Sequence, residues 1–210
     1  MAPSREPPPR QGIFAYPAGT HEWRHGPCGY VEDENYKPWL RDEFAYRCVY
    51  CLSREVWLPD GDGSFSVEHV EPTSRADEGL TSYESLVYAC CQCNSGRGAE
   101  PLPLDPSGEL AGHLEVREDG TIRGLTPAGE DLIRVCRLDR ASLTRFRRLV
   151  LDILSFLGSD PGDEAAELCR RYLGNPANLP NLAALRPPGG NSRPRGIEES
   201  AFARRACGAP

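Results

Sequence analysis

The sequence has no apolar run long enough to suggest a transmembrane helix, so no membrane span is expected. Its opening, MAPSREPPPRQG, lacks the apolar centre of a signal peptide and reads as a flexible Pro/Arg segment. Positive charge is not in excess. The formal net charge is −7, and because phosphate affinity comes mostly from cations, any nucleic-acid contact has to rely on a local cluster. No internal repeat is present. The nine cysteines are an odd number, and the best four are spaced for metal, which argues against an oxidised secreted framework and makes the cytoplasm the expected compartment. With 210 residues, 39% of them hydrophobic, the chain can bury one modest core, as one main domain with extensions.

What is present is a pair of cysteine knuckles, Cys48-x-x-Cys51 and Cys90-x-x-Cys93. A two-residue spacer lets both sulfurs of a knuckle reach one tetrahedral ion at about 2.3 Å, and a second pair then ties two distant segments together. The pattern predicts a structural zinc site, with ordinary buried thiols or disulfides as the alternative. Cys91 makes the register ambiguous, but only Cys90 with Cys93 keeps the two-residue spacing. The sequence His21-x-x-x-His25 followed by Cys28 has a metal-like spacing too, in a Gly/Pro-rich stretch without a clear fourth ligand.

Between the knuckles, residues 55–58 (EVWL) are β-prone, 59–63 (PDGDG) are dense in turn formers and 64–70 (SFSVEHV) alternate polar with apolar. This reads as a hairpin whose second strand ends on His69. A polar stretch over 71–84 follows. Residues 86–89 (LVYA) then form a short strand feeding the second knuckle, and residues 94–97 open a helix or turn.

The run CVYC … FSVEHVEP … YESLVYACCQCNSGRG resembles an HNH endonuclease of the ββα-metal class, in the subgroup stapled by four cysteines. A weaker likeness extends into the flanks YKPWLRDEFAYRC and GHLEVREDGTIRGLTPAGEDLIRVCRLDRASLTRFR. The resemblance implies that His69 is a general base taking a proton from the attacking water, a task suited to an imidazole at neutral pH. It implies that Glu68 and Asn94 hold one Mg²⁺ or Mn²⁺ through oxygen. DNA is then the implied substrate, cut to leave 5′-phosphate and 3′-hydroxyl ends. Three positions depart from the family pattern: Glu68 stands where many members have Asp, Ser85 where a loop-holding Asn is common, and Arg97 where Lys is usual. The Arg97 cation would still serve a phosphate.

Downstream, residues 113–123 read as a hairpin about Glu118-Asp119-Gly120, with His113 on the surface. Thr126-Pro127 is a helix entry, and Leu143, Phe146, Leu149, Val150, Ile153, Leu154 and Leu157 recur at helical steps, as core or as a partner-helix seam. Asp160-Pro161 starts a further helix to about Leu173, stopped by Gly174. Arg134, Arg137, Arg140, Arg145, Arg147 and Arg148 gather positive charge after the finger. Together with Arg97, the set Arg134, Arg137, Arg145 and Arg148 is the expected nucleic-acid contact, against a solvated helix face. Weak intrinsic binding would call for a targeting protein partner.

The expectation is therefore an α+β protein. Residues 1–43 form an N-terminal arm, partly flexible; 44–100 the zinc-stapled finger; 101–185 a hairpin and helical extension; and 186–210 a disordered tail. Two other readings stand beside the nuclease. One is a noncatalytic zinc finger that binds nucleic acid, the other a zinc-stabilised protein-interaction module.

Overall fold

The computed structural model describes residues 12–71, 82–159 and 162–207. Nearly all of the opening segment expected to be flexible, most of the polar stretch after His69 and the helix start expected at Asp160-Pro161 lie outside the described residues. The architecture is α+β, built on a ββα finger. Strand β1 (Phe65–His69) pairs antiparallel with β2 (Leu86–Cys90), in the register Phe65 to Cys90 through His69 to Leu86. Helix α2 (Cys91–Arg97) leaves β2 without a loop, because Cys90 is still extended while Cys91 is already helical, and it ends at Gly98 in the left-handed region (φ +60°).

The pleat sends alternate residues to opposite faces. Ser66 and Glu68 turn toward α2, bonding Asn94 and Arg97. Val67 and His69 turn to the side covered by α1 (Lys37–Glu43) and by the 3₁₀ turn Asp33–Tyr36 that leads into it. Trp39 and Leu40 of α1 are fully buried. Phe65 stacks on Tyr88 at 4.8 Å, and Tyr36 packs edge-on against Tyr30 at 4.9 Å and tilted against Tyr83 at 5.8 Å.

Residues 55–58 do not form the expected strand. Glu55–Trp57 is a 3₁₀ turn, and the partner of β1 is β2. A tertiary demand overrides the local β preference: Glu55 is a fully buried carboxylate that accepts from Arg41 Nε (3.0 Å), Arg41 Nη2 (2.8 Å) and Tyr88 Oη (2.8 Å). Trp57 faces the C-terminal half, where its Nε1 donates to Tyr172 O at 2.7 Å.

The hairpin β3 (Leu114–Val116) with β4 (Ile122–Gly124) forms as expected. At its turn Gly120 (φ +82°) lies so close to the neighbouring helix that a Cβ would meet Arg148 N at 2.7 Å. Helix α3 (Pro127–Val135) starts at Thr126, whose Oγ1 accepts from Gly129 N. Helix α4 (Ala141–Ser159) buries Leu143, Val150, Leu151 and Leu154, and α5 (Asp163–Leu173) packs on it. The C-terminal carbonyls of α5 receive Arg54 Nη1 at Leu173 O (2.9 Å) as well as the Trp57 indole.

The segment from 186 to 207 differs from the disordered tail that its composition suggested. Asn191 bridges to Pro27, and α6 (Arg195–Glu198) and α7 (Ala201–Ala206) follow. Ala201 N donates to the buried Asp42 Oδ1 at 2.7 Å, and Gly196 sits where a Cβ would run into Arg24 O. Glycine and proline here permit close docking onto the arm, a tertiary effect that composition does not show.

Candidate metal centre and active site

The first knuckle is a tight turn in which Leu52 N donates to Cys48 O and Cys48 N to Ser53 O, each at 2.9 Å. Leu52 takes a left-handed conformation (φ +61°), which costs a residue with a Cβ about 1–2 kcal/mol, and its side chain is buried. Val49 N donates to Tyr88 O at 2.9 Å, which fixes the knuckle against β2. In the second knuckle Cys90 ends β2 and Cys93 lies in the first turn of α2, so the strand-to-helix junction supplies both sulfurs.

The four sulfurs of Cys48, Cys51, Cys90 and Cys93 lie within 4.8 Å of one another, and all four residues are buried. Cys51 Sγ and Cys90 Sγ are 3.7 Å apart. A tetrahedron with zinc–sulfur bonds of about 2.3 Å has edges of about 3.8 Å, so the cluster fits Zn²⁺. Cys91 is exposed, which settles the register, and no disulfide joins the cysteines. Hydrogen bonding from Cys48, Cys90 and Cys93 holds the Cys51 thiol well below its usual range, while burial pushes Cys48 well above it. One thiolate is thus favoured and further ones call for a cation. Part of that charge is met by Arg140, whose Nη1 and Nη2 lie 3.7 and 3.8 Å from Cys93 Sγ.

At the far end of β1, Glu68 is 4% exposed and forms a buried ion pair with Arg97. The same guanidinium donates to His69 O, to Val70 O (2.9 Å) and to Glu100 O (3.0 Å), closing the strand end onto α2. Val70 N donates to Ser85 O at 2.9 Å, so backbone holds the loop where a side-chain amide was expected; the Ser85 hydroxyl turns back to Ser82 O. Asn94 Nδ2 donates to Ser66 Oγ at 2.8 Å. Glu68 Oε1 and the Asn94 Nδ2 are therefore occupied, and Glu68 Oε2 and Asn94 Oδ1 are the oxygens of a type that suits Mg²⁺ or Mn²⁺. His69 is on the opposite face, its Nε2 2.9 Å from Asp33 Oδ2. The fold thus places Asn94 beside Ser66 and Arg97 beside Glu68 on one side of the strand and turns His69 to the other, against Asp33.

Residues 48–100 match the HNH endonuclease family. No curated protein and no solved structure matches the chain. The HNH match begins at the first zinc-type cysteine and spans β1, β2 and α2, which is the part of the fold holding both the cluster and the strand-end carboxylate.

Outside the HNH segment the arginine run is dispersed. Arg147 is fully buried and donates to Leu138 O, and Arg140 lies on the cysteine cluster. Arg134 pairs with Glu100 and Asp131, and Arg148 with Asp152, all exposed. Arg137 and Arg145 are exposed, whereas Arg97 is 4% exposed and faces inward. His21, His25 and Cys28 do not converge: His21 bonds Glu43, His25 bonds Asp42, and Cys28 bonds Gly189 O and Gly190 O. His113 bonds Thr126 Oγ1 at 2.7 Å. Sequence reasoning missed two features of the strand end. The inward turn of Arg97 had a signal, since it lies three residues after Asn94 and so shares its helix face. Asp33 had none beyond membership of an acidic run.

Proposed function

We propose that this protein is a metal-dependent HNH endonuclease that hydrolyses phosphodiester bonds in DNA. The observation that carries the reading is the HNH family match over residues 48–100, with the four cysteines of the same segment converged. His69 takes a proton from the attacking water, and Glu68 and Asn94 lend oxygen ligands to a divalent cation. Bound Mg²⁺ or Mn²⁺ supplies charge stabilisation at the pentacoordinate phosphorus and the departing 3′-oxygen. Zinc on Cys48, Cys51, Cys90 and Cys93 is structural. Arg137 and Arg145 are exposed and available to the phosphate backbone, and Arg134 and Arg148 add cations once their carboxylate partners yield. With a net charge of −7, binding to DNA is weak and salt-sensitive, and a targeting partner strengthens it.

The engagement of Glu68 by Arg97 favours one second reading, a zinc finger that binds nucleic acid without cutting it. A supercoiled-plasmid nicking assay separates the two. Wild type and His69→Ala, matched for zinc content, are each incubated with Mg²⁺, Mn²⁺ or a chelator. Cleavage by wild type alone and only with added metal, with His69→Ala down at least ~100-fold, is expected. Salt-sensitive DNA binding without cleavage supports the second reading, and equal cleavage by both proteins removes His69 from the mechanism.

A further inference from the structure

We infer that Asp33, contributed by the arm outside the HNH segment, is a positioning residue for His69; the inference rests on the nuclease reading above. Asp33 Oδ2 lies 2.9 Å from His69 Nε2, and both side chains are mostly covered, at 30% and 22% exposure. An ionised carboxylate can only accept, so the bond requires the imidazole proton on Nε2 and leaves the lone pair on Nδ1. A neutral histidine free to choose its tautomer and to rotate about its side-chain bonds offers the right nitrogen only part of the time. The Asp33 contact removes both freedoms before substrate arrives.

The placement of Asp33 is itself built. It opens the 3₁₀ turn Asp33–Tyr36, which is pinned by Tyr36, 1% exposed, between the rings of Tyr30 and Tyr83. His69 is the last residue of β1, with its backbone carbonyl held by Arg97, so both partners of the bond stand on fixed backbone. In the reaction, one proton of the attacking water passes to Nδ1 as the water oxygen bonds to phosphorus; the bond from phosphorus to the 3′-oxygen breaks, its electron pair stays on the 3′-oxygen, and that oxygen takes a proton from solvent to leave as the 3′-hydroxyl. The Nε2 proton stays in the hydrogen bond, and Asp33 takes up none.

The test compares full-length, zinc-loaded wild type, Asp33→Ala and Asp33→Glu by steady-state cleavage, with nitrogen-15 NMR of the His69 ring as a second readout. Asp33→Ala is expected to lower kcat by roughly 10- to 100-fold with KM nearly unchanged. It should also turn a single Nε2-protonated tautomer into a mixture, at unaltered zinc content. Asp33→Glu, which keeps an acceptor in reach, should recover part of kcat. An Asp33→Ala protein that cuts at the wild-type kcat overturns the inference and leaves the nuclease reading standing, as does an unchanged His69 tautomer. Wild type that cuts nothing overturns the nuclease reading, and the inference with it.

Discussion

The two ends of the finger are built by opposite means. At the cysteine end the ligands come in local pairs, each set by a turn of a few residues, and one ion would complete the assembly. At the other end no pair is local. Glu68 is matched by Arg97 from the following helix, His69 by Asp33 from the arm, and the loop after the strand by the Ser85 carbonyl. A metal centre can therefore be specified by spacing, whereas the polar groups around His69 depend on segments meeting across the fold.

The comparison is tested most severely by removing the metal. Chelation, or Cys93→Ser, is expected to abolish cooperative thermal unfolding of the finger, since structural zinc contributes on the order of 10 kcal/mol in small zinc domains. A melt unaffected by a strong chelator would show that the hydrophobic core alone holds the knuckles. Arg97→Met attacks the other end. It leaves Glu68 buried without a cation, at a cost of about 3–5 kcal/mol, while the zinc content per chain stays that of wild type. If the variant melts at the wild-type temperature, the ion pair does not hold the strand end. The smallest effect is expected from Ser85→Asn. Because Val70 N already has the Ser85 carbonyl and Arg97 already holds the carbonyls of His69 and Val70, the change should stay within about 0.5 kcal/mol and leave nicking as it was. A marked gain in nicking would mean that the loop needs the amide.

Features decided by short-range chemistry were legible in the sequence. The cysteine spacing identified the four sulfurs, the alternation of residues 64–70 ended the strand at His69, and Thr126 announced α3 by its capping hydroxyl. Features decided at long range were not. Residues 55–58 carry a strand-like pattern, yet the buried carboxylate of Glu55 is needed by Arg41 and Tyr88, and the backbone turns to deliver it. The arginine run looked like one basic surface, but the helical rotation of α4 buries Arg147 while the turn before it directs Arg140 to Cys93. Asp33 stood in an acidic run where only tertiary structure separates the residue facing His69 from its solvated neighbours Glu32 and Glu34.

The bond from Ala201 N to Asp42, 159 positions apart, and the bridge between Pro27 and Asn191 also set an order in time. During synthesis the cysteines and both strands of the finger are complete long before residues 191–201 exist. Closing so long a loop is entropically slow as well as late. The knuckles can therefore gather while the arm around Pro27 and Asp42 still lacks its C-terminal strap, so the cysteine cluster can form before the arm is fully fastened.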